Sequence, residues 1–217
     1  MFLSKMAELC DKAYSEHTFV VDDIECLYRR IDEKHVYAIR GTETQLVTRG
    51  GFIDLLRGAL FPSHKDNDMH YGFYNGWRQI GREITDHFKA VSQKRDYPMV
   101  LTGHSMGGSI ALIGTIELIR DGFISPDSIS CVTFGAPKCV DFDDTEIEAI
   151  QDRLKPSVME IVHYLDPVPY FFGFMGYDHL DPSYIGHEMY EQAPWYKRKF
   201  KYHSMDVYRG TLKAKGF

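Results

Sequence analysis

The residues with the clearest chemical potential are Gly103-His104-Ser105-Met106-Gly107, which follow the pattern G-x-S-x-G. Glycines two residues to either side let a strand and a helix approach closely, and the sharp turn between them lifts the serine hydroxyl clear of its surroundings. The bare pattern is weak: with Gly and Ser each at about 7% of residues, chance supplies it in roughly one chain of this length in fifteen. Its flanks strengthen it. Met99-Val100-Leu101 reads as a buried strand, and Gly107, Gly108, Ser109 and Ala111 open a helix of small residues, the strand-turn-helix setting that the chemistry demands. A loop that cradles phosphate would need a Lys after its glycines, and none is there.

A serine hydroxyl is a poor nucleophile alone, so a base must take its proton and a third group must orient that base. In a strand-turn-helix architecture the acid and then the histidine follow the serine along the chain. Asp166, in Asp166-Pro167-Val168-Pro169, stands just past an expected strand, where strand ends present side chains to a site. Asp141, Asp178 and Asp181 are the fallback acids. Three of the ten histidines lie beyond Asp166, namely His179, His187 and His203, and chain order leaves all three open as the base.

The elements that must position these groups follow from periodicity. Phe2, Leu3, Met6, Leu9, Ala13 and Tyr14 predict an amphipathic helix ending near His17. Residues 24–31 and 35–40 predict a hairpin around Asp32-Glu33-Lys34. Tyr74, Trp77, Ile80, Ile84, Phe88 and Val91 mark a long helix; a strand over 98–102, a helix over 105–120, a strand over 129–134, a helix over 145–154 and a strand over 158–164 follow. Strands alternating with helices imply parallel crossovers and an α/β fold, a mostly parallel sheet flanked by helices. Residues 41–69 and 167–195 resist this reading, and loops of that length carry function or structure of their own.

At 217 residues with 44% hydrophobic content, the chain suits one globular domain, 1–217. A net charge of -6 argues against nucleic acid as a partner. Cys10, Cys26, Cys131 and Cys139 form no C-x-x-C pair, so free thiols are expected and neither metal nor cofactor is implied. Lys5 and Glu8 interrupt the first ten residues, unlike a secretory signal, and the apolar run over 110–119 is too short to span a bilayer. A cytoplasmic location is the expectation.

In order along the chain, these residues resemble the class 3, or fungal-type, lipase family of α/β-hydrolases. Ile39-Arg40-Gly41-Thr42 resembles a family strand ending in R-G-T; His70-Tyr71-Gly72-Phe73 resembles H-x-G-F, behind an acidic run that departs from the pattern; Gly103 to Gly107 is the elbow. Thr133-Phe134-Gly135-Ala136-Pro137 resembles T-F-G-x-P, and Asp166 to Pro169 resembles D-P-V-P. The resemblance implies Asp166 as the acid and His203, in His203-Ser204-Met205-Asp206-Val207-Tyr208, as the base, with His187 second. It also implies an oxyanion hole from Thr42 and the backbone N–H of Met106, and a lid over residues 43–62.

The resulting expectation is a carboxylic ester hydrolase acting on acylglycerol or phospholipid esters through an acyl-enzyme, with a lipid interface as partner. An acyltransferase or thioesterase on the same triad, or a non-catalytic lipid- or protein-binding scaffold, are the alternatives. Phe171, Phe172, Phe174, Met175, Tyr177, Trp195 and Tyr196 read either as an acyl path or as core. Lys197-Arg198-Lys199 with Lys201 reads either as a headgroup contact or as a solvated face.

Overall fold

The computed structural model describes residues 1–41, 65–66, 69–94, 97–143, 145–186 and 199–217. Thr42, the expected lid, His187, Trp195, Tyr196, Lys197 and Arg198 lie outside them. In chain order the elements are α1 (Phe2–Lys12), β1 (Phe19–Val21), β2 (Ile24–Ile31), β3 (Lys34–Ile39), a short ribbon of β4 (Lys65–Asp66) and β5 (Met69–His70), α2 (Tyr71–Ser92), β6 (Met99–His104), α3 (Met106–Arg120), β7 (Ile129–Phe134), α4 (Thr145–Leu154), β8 (Val158–His163), β9 (Pro182–Ile185) and α5 (Met205–Ala214). The main sheet runs β1-β2-β3-β6-β7-β8-β9. The first three strands are antiparallel, and every pairing from β3 onward is parallel.

The hairpin closes on a two-residue loop. Ile31 pairs with Lys34, and Asp32 and Glu33 both take positive φ, 47° and 57°, the backbone twist that tight hairpins select. Alternation along the strands then divides the core. Tyr37 and Ile39 of β3 and Met99 and Leu101 of β6 pack beneath α2 and α3. Val36, Ala38, Val100 and Val132 face α1 and α5 through Met6, Leu9, Tyr208 and Leu212. Helix α2 is one-sided, burying Phe73, Trp77, Ile80 and Ile84 at helical spacing. Helix α3 is buried from Gly107 to Ile119, as an apolar helix under another helix must be.

Three departures from the sequence expectation have physical causes. Helix α1 stops at Lys12, not near His17, and Tyr14, counted among its apolar positions, instead extends its hydroxyl to His104 Nδ1 at 2.7 Å. Strand β1, at three residues, is too short to show alternation. Strand β9 begins with Pro182 in the stretch that resisted reading; proline is tolerated there because the strand is an edge and Pro182 is its first residue. All four cysteines are buried thiols. Among the described residues no helix is long and apolar enough to cross a membrane.

His70, the histidine of the H-x-G-F segment, is packed among Phe73, Phe172 and Tyr177 with ring centroids 4.5, 4.7 and 5.7 Å away. Among the described residues neither ring nitrogen has a hydrogen-bond partner. Burial pushes its pKa down to about 4. Between about 6.5 and about 4 the unfolded chain therefore binds more protons at this residue than the native one, so native stability falls as pH falls through that window. His70→Phe is expected to remove about 2 kcal/mol of the stability lost between pH 7 and about pH 4.5. Urea unfolding at the two pH values checks this, and equal losses in both proteins would mean that the aromatic box does not hold the ring neutral.

Candidate active site

The parallel strands end at one edge of the sheet, and the chemistry-bearing residues gather there. Ser105 follows β6 directly and takes φ 56° and ψ -130°, a conformation that L residues avoid. Its neighbours explain how the turn is held. A Cβ at Gly103 would lie 2.3 Å from the backbone of Gly107, and one at Gly107 would lie 2.1 Å from the Ile39 carbonyl oxygen. Glycine at both places lets β3, β6 and the start of α3 close on one another. Ser105 N–H donates to the Phe134 carbonyl at 2.9 Å, tying the elbow to β7.

Asp166 comes three residues after β8 ends and is fully buried. As a carboxylate it accepts three hydrogen bonds: Val168 N–H on Oδ1 at 2.9 Å, and Tyr208 O–H at 2.8 Å and His203 Nδ1 at 2.7 Å on Oδ2. A buried charge of this kind persists only when so satisfied. Burial and the nearby Asp166 charge hold the Tyr208 phenol well above its usual range, so it remains a donor. Gly135, at φ 58°, supplies the space: a Cβ there would lie 2.9 Å from both Asp166 Oδ2 and the Tyr208 hydroxyl.

His203 closes the turn formed by Phe200–His203, immediately before Ser204 caps α5 by accepting from Val207 N–H. The Lys199 N–H to Leu165 carbonyl bond, 2.9 Å, joins this turn to the one carrying the acid. With Nδ1–H donated to Asp166, His203 Nε2 is left as the acceptor, and Ser105 Oγ stands 2.8 Å from it. The three side chains thus form one hydrogen-bonded chain drawn from positions 98 and 37 residues apart. The histidine before the serine, His104, lies with its ring 4.5 Å from that of His203, tilted by 33°. Burial and the neighbouring His203 ring hold His104 well below the ordinary histidine range.

The other candidates fall elsewhere. Both ring nitrogens of His179 are engaged by Glu160 and the Pro169 carbonyl, so it is not the base. Asp178 pairs with Lys138 at 2.7 Å, away from His203, and Asp181 is exposed. Met106 opens α3, where its amide sits at the positive end of the helix dipole. Phe172 and Tyr177 are core, while Phe174 is 85% exposed. Tyr208 was missed as a functional group although it lies inside the quoted His203 segment. Its distance from the histidine, five residues on, places it one turn into α5, and this spacing was the available signal.

Residues 36–175 match the family model described as lipase (class 3). This chain belongs to the class 3 lipase family. A lipase of Caenorhabditis elegans is 32% identical over 140 residues, 62% of this chain and 36% of the relative. A chloroplastic phospholipase A1 of Arabidopsis thaliana is 36% identical over 80 residues, 34% of this chain and 12% of its own length. The chain therefore spans about a third or less of these two relatives. Among solved structures, the triacylglyceride lipase of Rhizomucor miehei superimposes with a TM-score of 0.65 at 18% identity, covering 87% of this chain and 80% of that one. The likeness establishes the α/β-hydrolase fold.

Within this class 3 lipase fold, Tyr208→Phe removes the neutral donor to Asp166 Oδ2 and leaves His163 N–H, now 3.2 Å from the hydroxyl, without its acceptor. The expected loss is about 1.5 to 3 kcal/mol of stability, the range for hydrogen bonds to charged groups. Chemical denaturation at neutral pH measures it, and a loss under about 0.5 kcal/mol, the range of surface substitutions that break no contact, would show that Asp166 does not depend on the phenol.

Proposed function

We propose that this chain is a serine hydrolase of lipid carboxylic esters that works through an acyl-enzyme on Ser105. The observation that carries the reading is the unbroken chain from Ser105 Oγ through His203 to Asp166, 2.8 and 2.7 Å, at a strained elbow. In the reaction, Oγ attacks the ester carbonyl carbon as its proton passes to His203 Nε2. The carbonyl oxygen becomes an oxyanion, for which the Met106 amide is a donor and Thr42 the second that the family implies. Collapse breaks the bond to the alcohol, which leaves with the proton from Nε2. Water then gives a proton to Nε2 as it attacks the acyl-serine, and collapse releases the carboxylic acid while Nε2 returns that proton to Ser105 Oγ.

Acylglycerol or phospholipid esters are the proposed substrates, supported by the triacylglyceride lipase and phospholipase A1 likenesses. The residues flanking the site also support contact with a lipid surface. Phe174 is 85% and Phe200 37% exposed, and exposed Lys199 and Lys201 adjoin the latter. Ser105 and His203 are only 3% and 2% exposed, so a bulky ester reaches Oγ after groups over the site separate.

Treatment with a fluorophosphonate, with and without detergent, followed by peptide mass spectrometry, tests the nucleophile without a guess at the substrate. The expected adduct is on Ser105, formed faster with detergent. No adduct under either condition would overturn the proposal in favour of a non-catalytic scaffold. Ser105→Ala and His203→Ala are each expected to lower ester turnover by about four to six orders of magnitude. Turnover that survives Ser105→Ala would also overturn it.

A further inference from the structure

Glu160 sits in β8 with 1% exposure and has both carboxylate oxygens committed. Oε1 meets His179 Nδ1 at 2.8 Å, and Oε2 accepts from the amides of Leu180 at 2.7 Å and Asp181 at 3.4 Å. His179 is itself buried, and its Nε2 meets the Pro169 carbonyl oxygen at 2.8 Å. A carboxylate and a carbonyl can only accept, so a proton on either ring nitrogen finds an acceptor.

The far end of this bridge is what matters. Pro169 lies in the turn Val168–Tyr170, and the first amide of that turn, Val168 N–H, is the donor to Asp166 Oδ1. Pro167 and Pro169 have no N–H, so this short turn has few bonds of its own: Tyr170 N–H to Pro167 at 3.2 Å and Phe171 N–H to Val168 at 3.0 Å. An external tie on the Pro169 carbonyl fixes the turn against the sheet at Glu160.

We infer that His179, anchored by Glu160, is a positioning residue for the acid: it holds the Val168–Tyr170 turn so that Val168 N–H stays on Asp166 Oδ1 and the carboxylate stays aimed at His203. The inference rests on the hydrolase reading above. Neither His179 nor Glu160 touches the Ser105 hydroxyl or the His203 ring in the hydrogen-bond chain, so they act through the turn. A displacement of about 1 Å in a group of this kind costs up to about 100-fold in rate.

The test uses the full chain and a p-nitrophenyl ester, with circular dichroism showing each variant folded at the assay temperature. His179→Leu is expected to lower kcat by about 10 to 100-fold with KM within about twofold of the parent. His179→Gln keeps an N–H within reach of the Pro169 carbonyl and is expected to recover most of kcat. Like the leucine it lacks the ring contact with Glu160 Oε1, so its urea midpoint should stay close to that of His179→Leu. Recovery of kcat without recovery of stability is what a merely structural role would not produce. Where His179→Leu does not fold, Glu160→Gln takes its place, with a several-fold fall in kcat at unchanged KM expected. An unchanged kcat in the folded variant, or a glutamine variant no better than leucine, overturns the inference while parent turnover and Ser105 labelling leave the hydrolase reading intact. A parent that neither turns over ester nor labels at Ser105 overturns both.

Discussion

The site depends first on one backbone conformation, Ser105 at φ 56°. Such a conformation costs about 1 to 3 kcal/mol for a residue with a side chain and persists only where its surroundings over-determine it. Here they do. Strand β6 is buried at every position and lies between two parallel neighbours, and α3 is buried from Gly107 to Ile119. The elbow joins a strand and a helix that are both buried along their length, and the glycines at 103 and 107 let them meet at backbone contact. Relaxing Ser105 would require separating the strand from the helix, which would expose apolar surface on α3 and on the sheet face beneath it.

The second constraint is electrostatic. Asp166 and Glu160 are buried acids on or just beyond the same strand, and each has both oxygens occupied by donors. The donors come from distant positions: Tyr208 from α5, His203 from the turn before it, Leu180 from the entry to β9. Asp166 is not satisfied until the last helix has docked, and Glu160 is not satisfied until the entry to β9 has joined the sheet. Assembly of the C-terminal edge and creation of the site are therefore one event, and a partly formed edge would leave unsatisfied buried carboxylates, which the surrounding apolar core penalises heavily.

This explains what could be read in advance. The nucleophile was legible because its signal is local: an apolar strand, two glycines and a small-residue helix within a dozen positions. The hairpin, α2, β7 and α4 were legible for the same reason, since their periodicity lies within each segment. The acid was legible as a strand-end residue. The base was not separable from His179 by residue type or order, because what distinguishes the two is which partners arrive from afar. His203 receives Asp166 and Ser105, whereas His179 receives Glu160 and a proline carbonyl. Family resemblance ranked them where spacing left them equal. Strand β9 escaped because its proline start and edge position erase the pattern by which central strands are known.

His104 and His203 show how the choice of partner sets the charge of a buried imidazole. Their rings lie 4.5 Å apart. When His203 takes the Ser105 proton it becomes positive, and a second positive ring at that separation would oppose it by about 4 kcal/mol at an effective dielectric of about 20. His104 faces the Tyr14 hydroxyl rather than a carboxylate. Burial drives the Tyr14 phenol above its ordinary range, so it offers a neutral contact that does nothing to stabilise a charged ring. His203 faces a carboxylate with two further donors of its own. One imidazole is thereby kept neutral as a packing surface, and the other is placed where a positive charge is met by a fixed negative one. The arrangement needs a tyrosine just beyond α1 as much as an aspartate after β8.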